Sequence, residues 1–387
     1  MKASLVLPGA TLGVLGGGQL GRMFVHAAQQ LGYRTAVLDA DADSPAGLVS
    51  HLHVKSAYLD AAGLAQMAQA CDAITTEFEN VPAQALWTLG ATLPTAPAGD
   101  AVAVCQDRAA EKAHFAACGV PCAPHALIET EVELAAVADA LLPGILKTAR
   151  LGYDGKGQVR VRDRVELAAA WAELGRAPCV LEQMLALDFE ISLVIARNAA
   201  GQSVQLPIQR NLHRDGILAV TEVPAPGVSA ALAAQAIDAA RRIADGLAYE
   251  GVLCIEFFVL RDGALVANEM APRPHNSGHH SIDSCDVSQF DLQVRCMAGL
   301  PLVQPRLHSP ALMLNLLGDL WFDATGAERE PDWAAVLALP GAHLHLYGKA
   351  SARPGRKMGH LTLTAATPQA ARQQARAAAV ALGLPAP

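Results

Sequence analysis

Short apolar runs alternate with segments of helical periodicity over the first hundred residues. The pattern predicts strands at 12–15, 34–38 and 72–76, with helices at about 19–31 and 61–70 between them. Strands that alternate with helices are typical of βαβ units, which build a parallel sheet. A Pro- and Gly-rich stretch at 93–101 then marks a boundary. The first part of the chain is therefore predicted to be a Rossmann-like α/β domain.

The pattern changes to pairs of strands from about residue 106 onward. A helix that begins there is ended by Gly119 and Pro121. The runs that follow predict a helix at 164–174 and strands at 145–148, 158–162, 179–184, 189–197, 203–209, 217–223, 252–260 and 264–270. The last region has strands near 311–317 and 359–364 and an Ala-rich helix at 368–381. This succession indicates an α+β architecture after the first domain.

Composition favours a protein that binds small molecules. The 387 residues are 52% hydrophobic and 17% charged, so the chain can bury a large core, and its net charge of −8 offers no basic footprint for nucleic acid. The 19 uncharged residues between Lys2 and Arg22 include six glycines and no cleavage site, so we predict neither a signal peptide nor a membrane span. Eight cysteines without a CxxC pattern predict reduced core thiols and a cytoplasmic protein.

The segment GVLGGGQLGRMF, residues 13–24, follows the first predicted strand. Gly16, Gly18 and Gly21 match the pattern G-x-G-x-x-G. Asp39 lies 18 residues beyond Gly21, near the position of a dinucleotide ribose ligand. Helix N-termini also bind other phosphates, so the pattern leaves both a nicotinamide dinucleotide and another phosphate open.

A second glycine-rich segment, ILKTARLGYDGKGQVRV, lies between two predicted strands. It carries Lys147 at the end of the first strand and, in the loop, Lys156 with Gly152, Gly155 and Gly157. Backbone amides freed by glycine can surround phosphate oxygens, and lysines supply positive charge. The segment is not a Walker A loop, because G-x-x-x-x-G-K-[ST] is absent and no helix follows. An ordinary glycine-rich hairpin is the alternative.

Two apolar strands, GVLCIEFFVL and ALVANEM, are joined by Arg261-Asp262-Gly263. A two-residue type I′ turn at Asp-Gly would set the following cross-strand pairs: Leu260 with Leu265, Phe258 with Ala267, and Glu256 with Glu269. Facing carboxylates repel each other unless they share a proton or hold a hard cation. The pair therefore predicts an Mg²⁺ site with Asn268 as a further oxygen ligand, and a solvated edge pair is the alternative.

Hydrogen-bond donors and basic residues concentrate after this hairpin and near the C-terminus. The first group predicts an anion site and consists of Arg273, His275, Asn276 and Ser277. A zinc site is less favoured because no standard spacing is matched by its candidate ligands, His275, His279, His280 and Cys285. The second group is either an anion site or a solvated basic loop and consists of Lys349, Arg353, Arg356 and Lys357.

Nearly the whole chain is covered by an ordered set of motifs: GGGQLGRM, TEFEN, DR...K, LKTxxxGYDGKGQ, LEQ, FEISLVIAR, the Glu256/Glu269 hairpin, NEMAPRPHNSGH and YGKxxxRPGRKMGH. In this order they resemble the N5-carboxyaminoimidazole ribonucleotide synthetase family of ATP-grasp enzymes in purine biosynthesis. The resemblance implies an ATP-grasp fold with four parts. These are a Rossmann-like ribotide-binding domain at 1–105, a lid subdomain at 106–181, a core with the Mg-ATP site at 182–310, and a C-terminal region at 311–387 that completes the substrate site.

The resemblance also implies a role for individual residues. ATP is expected to be bound by Arg108, Lys147, Gly152, Tyr153, Asp154, Gly155, Lys156, Gly157, Gln158, Glu182, Gln183, Met184, Leu185, Glu190, His213, Asn268 and Glu269. The substrate 5-aminoimidazole ribonucleotide is expected to be bound by Gly18, Gln19, Leu20, Glu79, Tyr153, Asp154, Arg273, His275, Asn276, Ser277, Lys349 and Arg356. Mg²⁺ is expected at Glu256, Glu269 and Asn268. Catalysis is expected to involve Asp154, Arg273, His275 and Lys349.

The implied reaction is the ATP-dependent carboxylation of 5-aminoimidazole ribonucleotide with bicarbonate, through carboxyphosphate, to N5-carboxyaminoimidazole ribonucleotide, ADP and phosphate. ATP and Mg²⁺ are the implied cofactors, and a cytoplasmic homodimer without nucleic-acid or membrane partners is expected. Three alternatives are another ATP-grasp carboxylase or ligase, an NAD-binding Rossmann dehydrogenase, and a non-catalytic nucleotide-binding module. The first alternative includes enzymes like biotin carboxylase or the formate-dependent glycinamide ribonucleotide transformylase.

Overall fold

The N-terminal part of the computed structural model, which describes residues 5–150, 152 and 157–387, contains a four-stranded parallel sheet. Its strand order is β3-β2-β1-β4. The elements are β1 (Thr11–Leu15), α1 (Gln19–Gln30), β2 (Arg34–Leu38), β3 (Leu52–Val54), α2 (Ala61–Ala70), β4 (Ala73–Thr76), α3 (Ala83–Gly90) and α4 (Gly99–Cys105). The predicted parallel βαβ arrangement is confirmed, while β3, α3 and α4 were not predicted.

A small antiparallel sheet follows, in the strand order β5-β8-β6-β7. Its elements are α5 (Arg108–Ala117), β5 (His125–Ile128), α6 (Glu131–Ala136), β6 (Gly144–Thr148), β7 (Gln158–Val161), α7 (Arg164–Glu173) and β8 (Cys179–Gln183). Helix α5 begins where Asp107 accepts hydrogen bonds from the amides of Ala109 and Ala110. Leu146, Leu181 and Trp171 form part of the core that holds α7 on this sheet.

The rest of the chain builds one nine-stranded sheet in the order β14-β13-β9-β11-β12-β15-β17-β16, with β10 paired to β9. Its elements are β9 (Leu187–Arg197), β10 (Ser203–Gln205), β11 (Gln209–Arg214), β12 (Ile217–Val223), α8 (Ala230–Gly246), β13 (Gly251–Leu260), β14 (Leu265–Ala271), α9 (Ser281–Ser284), α10 (Gln289–Met297), β15 (Ala311–Leu317), α11 (Trp333–Leu337), β16 (Ala342–Leu346), β17 (Lys357–Thr364) and α12 (Pro368–Leu382). Because β15 pairs with β12, the C-terminal strands continue the core sheet.

Two predictions about this sheet were incomplete. The strand predicted at 203–209 ends at Gln205, and a separate strand, β11, runs from Gln209 to Arg214. Helix α8 was not predicted, although Ser229 caps it through the amide of Leu232 and its apolar face packs into the core. In the part of the chain that the structure describes, no helix is long and apolar enough to cross a membrane.

Candidate functional site

A cleft of about 510 Å³ lies where the N-terminal domain, the nine-stranded sheet and the C-terminal region meet. It is lined by the glycine-rich segment after β1, the residues after β4, the start of α5 and the segment after β14. The C-terminal region contributes Lys349, Arg356 and Lys357. A cleft of this volume accommodates a small-molecule ligand of nucleotide size. Motifs that are far apart in the sequence therefore meet at one site.

Glu256 on β13 lies directly opposite Glu269 on β14, as predicted. The predicted pairs nearer the turn are wrong, because Leu265 pairs with Val259 and Ala267 pairs with Phe257. The connection has three residues rather than two, since the amide of Leu260 donates to the carbonyl of Ala264 at 2.9 Å. A β-bulge at Asn268 then adds one residue to β14 and restores the register at the glutamates.

The two facing glutamates repel each other electrostatically, an arrangement that suits a divalent cation. Burial and the charge of Glu269 raise the pKa of Glu256 to about 7. Burial also raises the pKa of Glu269, but Arg108, whose guanidinium lies 3.2 Å from its carboxylate, and Lys147 lower it by more. Asn268, the bulge residue next to Glu269, has a buried side-chain oxygen with no hydrogen-bond partner. Three hard oxygen donors, one of them unpartnered, fit Mg²⁺.

Two of the predicted nucleotide residues, Lys147 and Glu182, form a buried cluster of charges with Lys112. Lys147 on β6 lies 2.7 Å from one carboxylate oxygen of Glu182 on β8, and Lys112 on α5 lies 3.0 Å from the other. Burial would raise the pKa of Glu182, but the two lysines lower it to about 2. The carboxylate is therefore ionised at neutral pH, and Lys147 already has an anionic partner.

Most of the other predicted nucleotide residues lie on or next to β7, β8, β9 and β11. His213 on β11 lies 2.5 Å from Glu190 on β9. Burial lowers the pKa of His213, but the hydrogen bond to Glu190 and the charges of Glu256, Glu190 and Glu269 together raise it by more. Met184 is 42% exposed at the end of β8, next to Gln183 and Leu185. Gly152 lines the cleft, Gln158 begins β7, and Gly157 directly precedes that strand. The predictions for Tyr153, Asp154, Gly155 and Lys156 concern residues outside the described part of the chain.

Helix α5 supplies two site residues to which sequence analysis assigned no role. Glu111 accepts a hydrogen bond from the amide of Met270 at 2.6 Å, and Lys112 donates to the carbonyl of Asn268 at 2.8 Å. Both side chains are buried. Together with Arg108 they contact three successive residues of β14. The signal in the sequence was the i, i+3, i+4 spacing of charged residues, which places them on one helix face.

The predicted ribotide residues lie on the other side of the glutamate pair. Arg273 forms an ion pair with Glu79, which links the segment after β14 to the segment after β4. Asn276 also lines the cleft, and both polar atoms of its amide are buried without a hydrogen-bond partner. Buried polar groups are normally paired, so this amide indicates a position for a polar ligand.

His275 lies between the predicted ribotide residues and the Glu256/Glu269 pair. Its Nδ1 lies 2.9 Å from the hydroxyl of Ser277 and also accepts from the amide of Ser277, which places the ring proton on Nε2. Nε2 is 3.6 Å from a carboxylate oxygen of Glu256. Burial, assisted by Arg273, lowers the pKa of His275 well below its ordinary value. His275 is therefore a neutral donor next to the glutamate pair.

The glycine-rich segment after β1 differs from the prediction in its contacts. The amides of Gly18 and Gly21 both donate to the carboxylate of Glu77, each at 2.6 Å. Asp39, the candidate dinucleotide ribose ligand, instead accepts from the amide of Gly17 at 2.7 Å. A protein carboxylate thus occupies the N-terminal amides of α1 that were expected to bind phosphate. Gln19 and Leu20, in the first turn of α1, line the cleft beside them.

Lys349 and Arg356 reach the cleft from the C-terminal loop, where each also contacts the loop backbone. Lys349 donates to the carbonyl of Lys357 at 2.6 Å, and Arg356 donates to the carbonyl of Ser351 at 2.7 Å. These contacts hold two cations near the ribotide residues. They support the anion-site interpretation of the basic loop over the solvated alternative.

The structure does not support the zinc alternative, because the candidate histidines have separate partners. His275 contacts Ser277, while Nδ1 of His279 lies 2.9 Å from the amide nitrogen of Gln289 and Nδ1 of His280 lies 2.8 Å from the hydroxyl of Ser284. All eight cysteines are free thiols and five of them are buried, as predicted.

Three family models match successive parts of the chain. The ribonucleotide synthetase preATP-grasp domain matches residues 9–106, and the ATP-grasp domain matches residues 113–290. The phosphoribosylaminoimidazole carboxylase C-terminal domain matches residues 311–374.

Similar proteins cover nearly the full length. The N5-carboxyaminoimidazole ribonucleotide synthase of Brucella melitensis biotype 1 is 44% identical over 365 residues, which cover 94% of this chain and 98% of that protein. The protein of the same name from Bacillus subtilis is 38% identical over 363 residues, with 94% and 93% covered.

Solved structures are similar over the same extent. An ADP complex of an N5-carboxyaminoimidazole ribonucleotide synthetase has a TM-score of 0.91 at 35% identity and covers 97% of this chain and 98% of its own. The Aspergillus clavatus N5-carboxyaminoimidazole synthase, in complex with ADP and 5-aminoimidazole ribonucleotide, has a TM-score of 0.87 at 31% identity, with 99% and 100% covered.

Proposed function

The chain belongs to the N5-carboxyaminoimidazole ribonucleotide synthase family of ATP-grasp ligases, and from this premise we propose how its own residues carry out the reaction. The substrates are ATP, bicarbonate and 5-aminoimidazole ribonucleotide. The products are ADP, phosphate and N5-carboxyaminoimidazole ribonucleotide. One observation carries the residue assignment: Glu269 and the donors at Arg273, His275 and Asn276 line one cleft, and Glu256 faces Glu269 beside His275.

Three steps account for the carboxylation. Bicarbonate is a poor electrophile, so one of its oxygens first attacks the γ-phosphorus of ATP and ADP leaves, which gives carboxyphosphate. Carboxyphosphate then loses phosphate by cleavage of its carbon–oxygen bond and releases CO₂. The exocyclic amine nitrogen of the ribotide attacks this carbon and loses a proton. Because the activated carbon is labile, the amine must already be held close and water must be excluded.

The nucleotide side of the cleft is organised for phosphoryl transfer. Mg²⁺, held by Glu256, Glu269 and Asn268, would neutralise charge that develops on the transferred phosphoryl group. Arg108 and Lys147 would bind phosphate oxygens. The remaining residues proposed for ATP are Gly152, Gly157, Gln158, Glu182, Gln183, Met184, Leu185, Glu190 and His213, with Tyr153, Asp154, Gly155 and Lys156 beyond the described residues.

The ribotide side orients the acceptor amine. Arg273, His275 and Lys349 are proposed to act on the reacting groups, and neutral His275 donates from Nε2 toward the site. Asp154, which lies outside the described residues, is the candidate that orients or deprotonates the amine. The ribotide itself would be bound by Gly18, Gln19, Leu20, Glu79, Tyr153, Asn276, Ser277 and Arg356.

ADP formation with single acceptors tests this assignment. We expect Mg²⁺-dependent ADP formation that 5-aminoimidazole ribonucleotide stimulates strongly when bicarbonate is present. Biotin and glycinamide ribonucleotide serve as the alternative acceptors, and NAD serves as a binding control. Stimulation by biotin or glycinamide ribonucleotide, with none by 5-aminoimidazole ribonucleotide, would assign the cleft to another ATP-grasp reaction.

We further propose a homodimer that works in the cytoplasm. The resemblance to the family supports the dimer, and the free thiols support a reducing compartment. Light scattering after size-exclusion chromatography measures the molar mass directly. A monomer at micromolar concentration would contradict the dimer.

A further inference from the structure

Glu182 is a buried carboxylate shared by two lysines. Its side chain is 4% exposed, and those of Lys112 and Lys147 are 0% and 8% exposed. The two Nζ atoms contact different carboxylate oxygens, at 3.0 Å and 2.7 Å. One anion with two cations gives this buried cluster a net charge of +1.

The two lysines differ in how firmly the protein holds them. Lys112 also donates to the carbonyl of Asn268 at 2.8 Å, and its ammonium lies 5.9 Å from the centre of the Phe115 ring. It therefore joins α5, β8 and β14 at one point. Lys147 stands on β6 just before the glycine-rich loop, and Glu182 is its ion-pair partner among the described residues. Lys147 is the lysine that can turn toward a ligand.

A transfer of Lys147 to a phosphate would leave a buried carboxylate behind. Removing one partner of a buried ion pair is strongly unfavourable when no other counter-ion is present, because the remaining charge is neither hydrated nor paired. With Lys112 in place, Glu182 keeps a partner at 3.0 Å after Lys147 moves. The unfavourable step is thereby avoided.

We propose that Lys112 is a positioning residue that keeps Glu182 paired, so that Lys147 is available to the phosphates of ATP. The inference rests on the proposed function, since it takes Lys147 as a phosphate ligand. Lys112 itself does not touch the nucleotide. It acts through Glu182, and its contribution therefore concerns the phosphate part of the ligand rather than adenine.

Titration calorimetry of the full-length protein with Mg-ATP and with adenosine tests the proposal. In Lys112→Met, Glu182 retains only Lys147, and we expect the Kd for ATP to rise at least about tenfold, equivalent to about 1.4 kcal/mol. The Kd for adenosine should change less than about threefold, because adenosine has no phosphate to compete for Lys147. A loss that is equal for both ligands would overturn the proposal.

Glu182→Gln supplies the decisive second variant. With the charge of Glu182 removed, Lys147 is free whether or not Lys112 is present, so Lys112→Met/Glu182→Gln should bind ATP within about threefold of Glu182→Gln alone. If Lys112 had a merely structural role, Lys112→Met would weaken ATP binding further in the Glu182→Gln background as well, and that result would refute the inference. Lys112→Gln replaces Lys112→Met if the latter fails to show a cooperative thermal transition.

Lys147→Met separates this inference from the proposed function. If Lys147→Met leaves the ATP Kd unchanged, Lys147 is not a phosphate ligand and the proposed site assignment itself fails. If Lys147→Met weakens ATP but Lys112→Met does not, the site assignment stands and the role of Lys112 is refuted. The proposal is supported if Lys112→Met and Lys147→Met both weaken ATP binding and Glu182→Gln restores it only in the Lys112→Met protein.

Discussion

Glu256→Gln is expected to stabilise the metal-free protein while it removes activity. Burial and Glu269 raise the pKa of Glu256 to about 7 from an ordinary value of 4.5. A carboxyl whose pKa is raised in the folded state binds more protons there than in the unfolded state. Its contribution to stability is therefore complete below the unfolded value and is lost as the pH rises through the folded value.

The size of the effect follows from this shift. Stability is lost between pH 4.5, where Glu256 ionises in the unfolded chain, and about pH 7, where it ionises in the folded protein. Each pKa unit corresponds to about 1.4 kcal/mol, so above pH 7 the ionised Glu256 lowers the free energy of unfolding by about 3 kcal/mol. Glutamine keeps the shape of the side chain and does not ionise. The variant should therefore be the more stable protein by about this amount at pH 8, and little different at pH 4.5.

Urea denaturation in EDTA across this pH range measures the difference. Glu222→Gln is the matched control: it changes the net charge equally, but it removes the partner of Arg372 and should not stabilise. Mg²⁺ should stabilise the parent protein more than Glu256→Gln, because the parent holds both carboxylates. A Glu256→Gln variant that is less stable than the parent at pH 8 would refute the electrostatic argument.

Three further predictions concern the ligands. Glu269→Gln should lower turnover at least about 100-fold with the fold retained, with partial rescue by excess Mg²⁺, and near-normal turnover at ordinary Mg²⁺ would contradict the metal assignment. Burial lowers the pKa of His213, but Glu190, Glu256 and Glu269 together raise it above 6.5, so ATP affinity should fall as the pH rises through that raised value, and calorimetry on His213→Gln should show no such fall. Gly18→Ala places a Cβ 2.6 Å from an oxygen of Glu77, so steady-state kinetics should show a higher KM for the ribotide and little change for ATP. Equal KM values for the ribotide in the parent and in Gly18→Ala would show that the contact between Gly18 and Glu77 does not position the ribotide.

The Glu256/Glu269 hairpin shows how a correct prediction of register can rest on a wrong step. A two-residue turn was expected to place Glu256 opposite Glu269, but the turn has three residues and shifts the pairs next to it. The bulge at Asn268 compensates for the shift. Local turn rules could not reveal the bulge, because it is stabilised by contacts from α5, such as that of Lys112 with the carbonyl of Asn268.

The hydrophobic pattern located the elements with a strong apolar signal. It missed those that are strands mainly because neighbouring strands pair with them. Three of the four strands of the N-terminal sheet, β1, β2 and β4, are apolar and were predicted closely, whereas the short strand β3 was missed. Strand β11, with the sequence QRNLHR, carries little apolar signal and is a strand because β9 and β12 pair with it on both sides. Strand β16 was likewise not predicted, and β17 pairs with it.

The sequence by itself determined which chemical groups this protein has and in what order: the glycine-rich segments, the glutamate hairpin, the donors that follow it and the C-terminal basic loop. Only the tertiary structure decided their partners. Glu77 binds the amides of Gly18 and Gly21, and Glu182 is shared by Lys112 and Lys147. The reason is physical: local sequence sets backbone preference and burial, whereas the partner of a buried charge depends on which segments the packed core brings together.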